Sequence, residues 1–497
     1  MKLRDLLRDV PVRTTAGNLD LEISMITSDS RLAKKDALFV AIPGLQKDGT
    51  QFIGQAMQKG AVCVAAAAPA AEGGGRYTFV QIDDPRGALA LIAANFYGHP
   101  ADKLSLVGVT GTSGKTTTTK MIESIFDAAG EPVGLIGTIE YRAGDERLVA
   151  DRTTPDAVVL QEWFAKMVDA GVRHAVMEVS SHALALKRTY GIRFAAAVFT
   201  NLSQDHFDFH KNFEDYYRAK RILFDQIDRS RRTAIVNIDD EYGRRLANEL
   251  GPDTVLSFGR NADNADTADI RPADDFTIDV RGLRGRVITP VGEVRVESPL
   301  LGAPNLANWL AAIGAAISVG ISTSTIEKGI RALPSVRGRF ETVPSDGGPT
   351  VIVDYAHKPD ALEKLLHAVR DLAGRKRIVV LFGCGGDRDR DKRPKMAAIA
   401  TKLADFTILT SDNPRSEDPD AILDEMEKGA RGNYVRITDR RSAISRAIDE
   451  ASDQDIVVIA GKGHETYQVT GDHIAHFDDR EEAELAFKKR NEKVIPK

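Results

Sequence analysis

Cysteine is scarce in this 497-residue chain: there are two, Cys63 and Cys384, and no C-x-x-C pair. That excludes a disulfide framework and a cysteine zinc site, and it fits a reduced, cytoplasmic protein. Charge imbalance is also missing. Lys and Arg total 67 against 72 Asp and Glu, a net charge of -5, too small to hold the whole chain on nucleic acid or a membrane. The longest apolar run, residues 61–71, is too short and too alanine-rich to span a bilayer. The opening MKLRDLLRDV lacks the apolar core of a signal peptide. Neither an internal repeat nor a low-complexity segment is found.

What is present is an ordinary globular composition, 42% hydrophobic and 28% charged, at a length that calls for about three domains. The expected fold class is α/β. Up to residue 98, strand-like ALFVAI and AVCVAAAA mix with helical segments. Helical GALALIAANFYG is then broken by His99-Pro100, because the residue before proline avoids the helical region. From Leu104 the strands LVGV, VGLIG, HAVMEV, AAVFT and AIVNI alternate with amphipathic helices, the pattern of a largely parallel sheet covered on both faces. Residues 253–300 read as a turn-rich antiparallel patch, followed by a helix over 305–319. From Val336 a second doubly wound pattern runs through TVIVDY, RIVVLFG, FTILTSD, YVRIT and DIVVIAG. The expected domains are 1–98, small and α/β; 99–335, a central parallel-sheet domain with a phosphate loop; and 336–497, Rossmann-like.

Polar residues gather where these strands end: 111–117, 178–182 and 201–206 in the central part, then 354–357, 383–388, 411–415 and 461–465. Ligands of open parallel sheets sit beyond the strands' carboxyl ends, so both sets of ends are expected to serve one cleft. The segment LVGVTGTSGKTTTTKMIESIF is a strand, a glycine turn and a helix. Its glycines let backbone N–H groups wrap a phosphate, and the helix start adds a favourable dipole. Lys115 can reach terminal phosphates and the Thr116 hydroxyl can ligate Mg²⁺. The strict G-x-x-x-x-G-K spacing is not met, since Val109 stands at the first glycine position. Nucleotide binding still outweighs a bare glycine turn.

The run G-T-S-G-K-T-T at 111–117 resembles the Mur ligase and folylpolyglutamate synthetase superfamily, and the resemblance extends over nearly the whole chain. It implies an ATP-dependent ligase that forms an amide through an acyl phosphate. By that resemblance Gly111, Thr112, Ser113, Gly114, Lys115, Thr116 and Thr117 hold ATP. LGAPNLANWLAAIG contributes Asn305 and Asn308 to the adenine, although Pro304 replaces the usual aromatic residue. VRGRFE and VDYAHKPDAL contribute Arg339, Asp354 and His357. MEVSSHAL and TNLSQDHFDFH match the family's metal-binding strand ends, so Mg²⁺ is expected on Thr116, Glu178 and His206. Read alone, Lys220 in EDYYRAKRILF is a surface lysine; the resemblance makes it a carbamylated lysine that holds a second Mg²⁺. Lys115, Lys220, His206 and Glu178 are then the catalytic set. Ser28 and Ser30 match the uridine region, and Thr153, Thr154, Ser180 and Arg188 the muramoyl-peptide positions.

D-N-P-R within TSDNPRSEDP (410–419) resembles the signature of diaminopimelate-adding members, and lysine-adding relatives lack the arginine. Diaminopimelate differs from lysine by a distal carboxylate, and a guanidinium fork matches a carboxylate with two parallel hydrogen bonds. The implied diaminopimelate set is Arg388, Asp412, Asn413, Pro414, Arg415, Gly461 and Glu465, the last accepting from an ammonium. The implied small-molecule substrates are ATP, meso-diaminopimelate and UDP-N-acetylmuramoyl-L-Ala-D-Glu, handled by a monomer. Other readings are a lysine-adding relative, a folylpolyglutamate synthetase, and an ATP-binding switch without turnover.

Overall fold

The apolar runs of the sequence become the central strands of three sheets. The computed structural model describes residues 1–44, 47–68, 77–229, 231–260, 267–344 and 347–494. The chain divides into two compact units: Met1–Arg271 with Thr289–Val291 and Leu310–Gly329, and Pro272–Ile288 with Gly292–Trp309 and Ile330–Lys497.

The first unit holds two sheets. The smaller contains β1 (Thr14–Ala16), β2 (Met25–Thr27), β3 (Ala37–Val40), β4 (Ala61–Ala66) and β5 (Thr78–Gln81), in the order β1-β5-β4-β3-β2. Only β1 runs antiparallel to its neighbour. The apolar run at 61–71 thus supplies β4, and its residues 69–71 lie outside the described residues. The helix Pro85–Tyr97 is capped by Asp84, which accepts from Gly87 N, and stops at Gly98 with φ 72. A left-handed glycine therefore ends it before the His99-Pro100 pair is reached.

The larger sheet contains β6 (Ser105–Thr110), β7 (Val133–Ile136), β8 (Glu140–Ala143), β9 (Glu146–Val149), β10 (His174–Glu178), β11 (Ala196–Phe199), β12 (Ala234–Asn237) and β13 (Val255–Phe258). Its order is β13-β12-β11-β6-β10-β7-β8-β9. The six strands from β13 to β7 are parallel, and β8 and β9 are antiparallel additions. One expectation is corrected here: residues 253–300 are not all an antiparallel patch, because β13 pairs parallel with β12. All four β13 residues are buried, so the strand has no polar alternation to mark it, and turn-rich neighbours masked it. Residues 261–266 of that stretch lie outside the described residues. Within the remainder, β14 (Arg271–Pro272), β15 (Thr277–Asp279), β16 (Gly282–Thr289) and β17 (Gly292–Ser298) form a small sheet, with β15 and β16 antiparallel.

In the second unit β18 (Glu341–Val343), β19 (Thr350–Asp354), β20 (Ile378–Phe382), β21 (Phe406–Leu409), β22 (Tyr434–Arg436) and β23 (Ile456–Ala460) take the order β18-β19-β23-β20-β21-β22. All are parallel but β18. Successive residues feed opposite cores: Ile352, Val380 and Val458 pack on one face, Val353, Leu381 and Ile459 on the other. A hairpin follows, β24 (Tyr467–Thr470) with β25 (His473–His476). Among the described residues no helix is long and apolar enough to cross a membrane.

Arg440 ties this second sheet's ends together. Its guanidinium meets Asp479 with two bonds of 2.7 Å and donates to Ala460 O at 3.0 Å and Ser411 O at 3.3 Å. Neither charged side chain has exposed surface. Arg440→Ala leaves Asp479 buried without its counter-charge, so the second unit is expected to lose about 3–5 kcal/mol, read as a lower urea midpoint.

Candidate functional site

In the first unit β6 runs straight into the glycine turn, and the helix Lys115–Asp127 starts where the turn ends. Gly111 has φ +151, and a Cβ there would stand 1.8 Å from Thr200 Oγ1, so glycine is required. The segment after β11 pins the turn. Ser113 N donates to Asn201 Oδ1 at 2.9 Å, and Thr200 Oγ1 donates to Ser113 O at 2.6 Å. Thr112 N donates to Asn201 O at 2.9 Å. Two lysines converge on one carbonyl: Lys115 Nζ donates to Gly111 O at 2.9 Å and Lys220 Nζ donates to the same oxygen at 2.8 Å.

Lys220 is no surface lysine; it is 1% exposed. The helix Phe213–Arg221 turns Tyr216, Tyr217, Ala219 and Lys220 inward. Burial, reinforced by the charge of Lys115, holds the Lys220 amine well below the ordinary lysine range. A neutral amine is the form that captures CO₂ as a carbamate. Tyr216 links this corner. Its hydroxyl is 3.2 Å from Thr112 Oγ1, its ring centroid is 4.4 Å from Lys220 Nζ, and the His206 ring is 6.2 Å away.

Glu178 ends β10 almost fully buried. Its carboxylate accepts from Thr116 Oγ1 at 3.0 Å, Thr138 N at 2.7 Å and Thr138 Oγ1 at 3.0 Å. Thr138 Oγ1 lies 3.0 Å from Thr153 Oγ1. Thr154 Oγ1 donates to Glu178 O at 2.8 Å and accepts from Ser180 N at 3.1 Å, while Arg188 Nη1 donates to Thr154 O at 2.7 Å. The structure thus joins Thr116, Glu178, Thr153, Thr154, Ser180 and Arg188 in one network. His206 sits at φ 56 with its ring edge-on to His182 at 4.7 Å. The Thr116–Glu178 pair offers oxygen donors of the kind a hard cation takes. Among the described residues no three His, Cys, Asp or Glu side chains form a ready-made metal cluster. Of the two uridine candidates, Ser28 is exposed, and Ser30 is buried and donates to Gln55 Oε1 at 2.6 Å.

In the second unit Asn305 lies in the first turn of the helix Ala303–Ser318. Pro304 fits there because a first-turn N–H has no helical partner to lose. Asn305 Nδ2 donates to Leu301 O at 2.9 Å, and Asn308 Nδ2 donates to Asn305 Oδ1 at 3.2 Å. Asp354 ends β19 and accepts from Phe340 N and Ala356 N, each at 2.8 Å. Burial raises its carboxyl above the usual range, against the pull of Arg339. Arg339 stacks on Tyr355 at 4.7 Å. His357 Nδ1 lies 2.8 Å from Tyr355 O, and burial pushes the ring down to about 4. Among the described residues Arg339 Nε and His464 Nδ1 are buried without a hydrogen-bond partner.

The turn after β21 presents D-N-P-R. Asp412 Oδ1 accepts from Asn413 N at 2.6 Å, and Asn413 Nδ2 donates to Glu465 Oε2 at 2.9 Å. Gly461 has φ +116, with its α-carbon so close that a Cβ would lie 3.0 Å from Asp412 Oδ2. Pro414 is buried and Arg415 half-buried, at φ 53. Arg415 Nη1 donates to Gly386 O at 2.8 Å, while Arg388 is exposed and donates to Asp387 O at 3.0 Å. The hairpin grips the turn's backbone: Arg415 N donates to Val469 O at 3.0 Å, Gly471 N to Arg415 O at 2.6 Å, and Gln468 Nε2 to Asp412 O at 2.7 Å.

Three family models match, described as Mur ligase family, catalytic domain (22–97), Mur ligase middle domain (109–316) and Mur ligase, glutamate ligase domain (338–463). A Gloeobacter violaceus protein named UDP-N-acetylmuramoyl-L-alanyl-D-glutamate--2,6-diaminopimelate ligase is 46% identical over 494 residues, covering 99% of each chain. A Clostridium tetani protein of that name is 43% identical, over 97% of this chain and 98% of its own. The chain belongs to the Mur ligase family. A solved structure titled as the same diaminopimelate ligase matches this Mur ligase with TM-score 0.71 and 30% identity, over 99% of both chains.

Several residues that hold these candidate side chains in place were not singled out from the sequence. Thr138 and Tyr216 read as ordinary loop and helix residues, yet Thr138 grips Glu178 and Tyr216 underlies Lys220. Lys462 and Arg440 were not singled out from the sequence, and both are fully buried. Only the pile-up of polar residues at 201–206 hinted that Asn201 would hold the glycine turn.

Proposed function

We propose that this Mur ligase joins meso-2,6-diaminopimelate to UDP-N-acetylmuramoyl-L-alanyl-D-glutamate at the expense of ATP, in the cytoplasm, making a precursor of peptidoglycan. The D-N-P-R turn carries the reading: a left-handed Arg415, fixed through its backbone, stands beside Asn413 and Glu465, so one small region offers a carboxylate fork and an ammonium acceptor. Full-length similarity to proteins of that name supports it. The proposed domain limits are 1–98 for the uridine part, 99–335 for ATP and 336–497 for the amino acid.

The glycine turn's N–H groups and Lys115 receive the ATP phosphates, with Asn305, Asn308, Arg339, Asp354 and His357 on the nucleoside. Lys115 exchanges its bonds to Gly111 O and Thr112 O for phosphate oxygens. Mg²⁺ on Thr116, Glu178 and His206, with a second ion on the Lys220 carbamate, would supply positive charge against the triphosphate. Ser28, Ser30, Thr153, Thr154, Ser180 and Arg188 position the UDP-muramoyl peptide. Its D-glutamate side-chain carboxylate attacks the γ-phosphorus, the bond to ADP breaks, and an acyl phosphate forms. The amine of diaminopimelate then attacks the acyl carbon; phosphate leaves with the bonding electrons, and the amine's proton passes to solvent. Asp412, Asn413, Glu465 and Gly461 hold the amino-acid end, and Arg388 and Arg415 its carboxylates. The decisive assay is phosphate release with ATP and UDP-muramoyl dipeptide. Diaminopimelate is expected to drive turnover and lysine to give ~10⁴-fold less in kcat/KM. Equal turnover with both amino acids would defeat the assignment.

A further inference from the structure

Lys462 lies two residues beyond the end of β23 and has no exposed side-chain surface, a rare setting for an ammonium group. Its Nζ donates to Asn413 Oδ1 at 3.1 Å, lies 3.6 Å from Glu465 Oε2 and stands 5.6 Å from the Tyr467 ring centroid. Asn413 Oδ1 also accepts from Val469 N at 3.0 Å. Two donors on Oδ1 leave the amide one orientation, with Nδ2 directed at Glu465 Oε2. A flipped amide would set its NH₂ group against an ammonium and a main-chain N–H.

We infer that Lys462 is a positioning residue for amino-acid recognition: it fixes the Asn413 amide and sets its own charge beside the Glu465 carboxylate, which is thereby aimed to accept the ammonium of the incoming diamino acid. The inference rests on the function proposed above. The groups facing Glu465 are Asp412, Asn413 and Arg415 from the turn after β21, Tyr355 after β19, Tyr467 on β24, Arg440, and Lys462 itself. Burial and then the charge of Asp412 raise the Glu465 carboxyl above its usual range, and Lys462 leads the groups that oppose them. The sign follows. Protonated Glu465 loses the negative charge that draws an ammonium, so amino-acid capture weakens as pH falls through the folded-state value. Without Lys462 that value climbs, and the failure begins at higher pH.

The test uses the full chain, with ATP, UDP-muramoyl dipeptide and varied diaminopimelate. Lys462→Met is expected to raise KM for diaminopimelate roughly tenfold while KM for ATP holds. The acid limb of kcat/KM is expected to move up by about one pH unit. A lysine that merely fills space would alter stability without moving that limb, so an unmoved limb overturns the inference. Wild-type protein that ignores diaminopimelate would instead strike down the function itself. If Lys462→Met does not fold, Lys462→Met/Glu465→Gln decides. Recovery of a urea midpoint close to that of Glu465→Gln alone supports the counter-ion role, and a double variant that stays unfolded refutes it.

Discussion

Arg415→Ala is expected to lower kcat/KM for diaminopimelate by roughly 10³–10⁴-fold while leaving that for lysine near its starting value. The cause is asymmetric. A distal carboxylate receives two parallel N–H bonds from the fork, whereas lysine leaves the same guanidinium without its acceptor. The backbone holds Arg415 independently of its side chain, through Val469 O and Gly471 N, so truncation removes the fork and leaves the turn standing. Arg415→Lys keeps the charge but not the planar pair, and its preference should fall between the two. Competition between labelled diaminopimelate and lysine measures the ratio directly. A ratio untouched by Arg415→Ala would place the distal carboxylate elsewhere.

Lys220→Ala should reduce kcat by about 10²–10³-fold, with a fold preserved well enough to bind ATP. The residue sits where burial and Lys115 favour the neutral amine. Wild-type protein incubated with ¹³C-bicarbonate should therefore give one lysine-carbamate signal by NMR. Lys220→Ala should lack that signal, and acidification should erase it from the wild type, since protonation of the carbamate releases CO₂. A wild-type spectrum without the signal, alongside full activity, would remove the carbamate from the mechanism.

Much of the fold was legible because buried parallel strands are written as uninterrupted apolar words. LVGV, HAVMEV, AAVFT, RIVVLFG and DIVVIAG all became central strands. VLSF at 255–258 is the same kind of word, but it lies in a turn-rich stretch that suggested antiparallel pairing. The glycine turn was legible because a φ of +151 beside Thr200 can be met only by glycine. Lys220 could not be read as buried from local pattern. Its helix is polar overall, and only packing decides that the Tyr216 face turns inward. Thr138, Tyr216, Arg440 and Lys462 share that property. Thr138 and Lys462 acquire their roles from partners far along the chain, 40 residues for Thr138 with Glu178 and 49 for Lys462 with Asn413. The family resemblance supplied Lys220, Asn305 and Arg415, and it said nothing of these supporting side chains.

The hairpin Tyr467–His476 meets the D-N-P-R turn chiefly through main-chain atoms, and it leaves Ile474 facing water. What this ribbon gives the turn is therefore shape rather than lettering. Exchanging the outward side chain of Ile474 is expected to leave that curve, and with it the backbone seat of Arg415, in place.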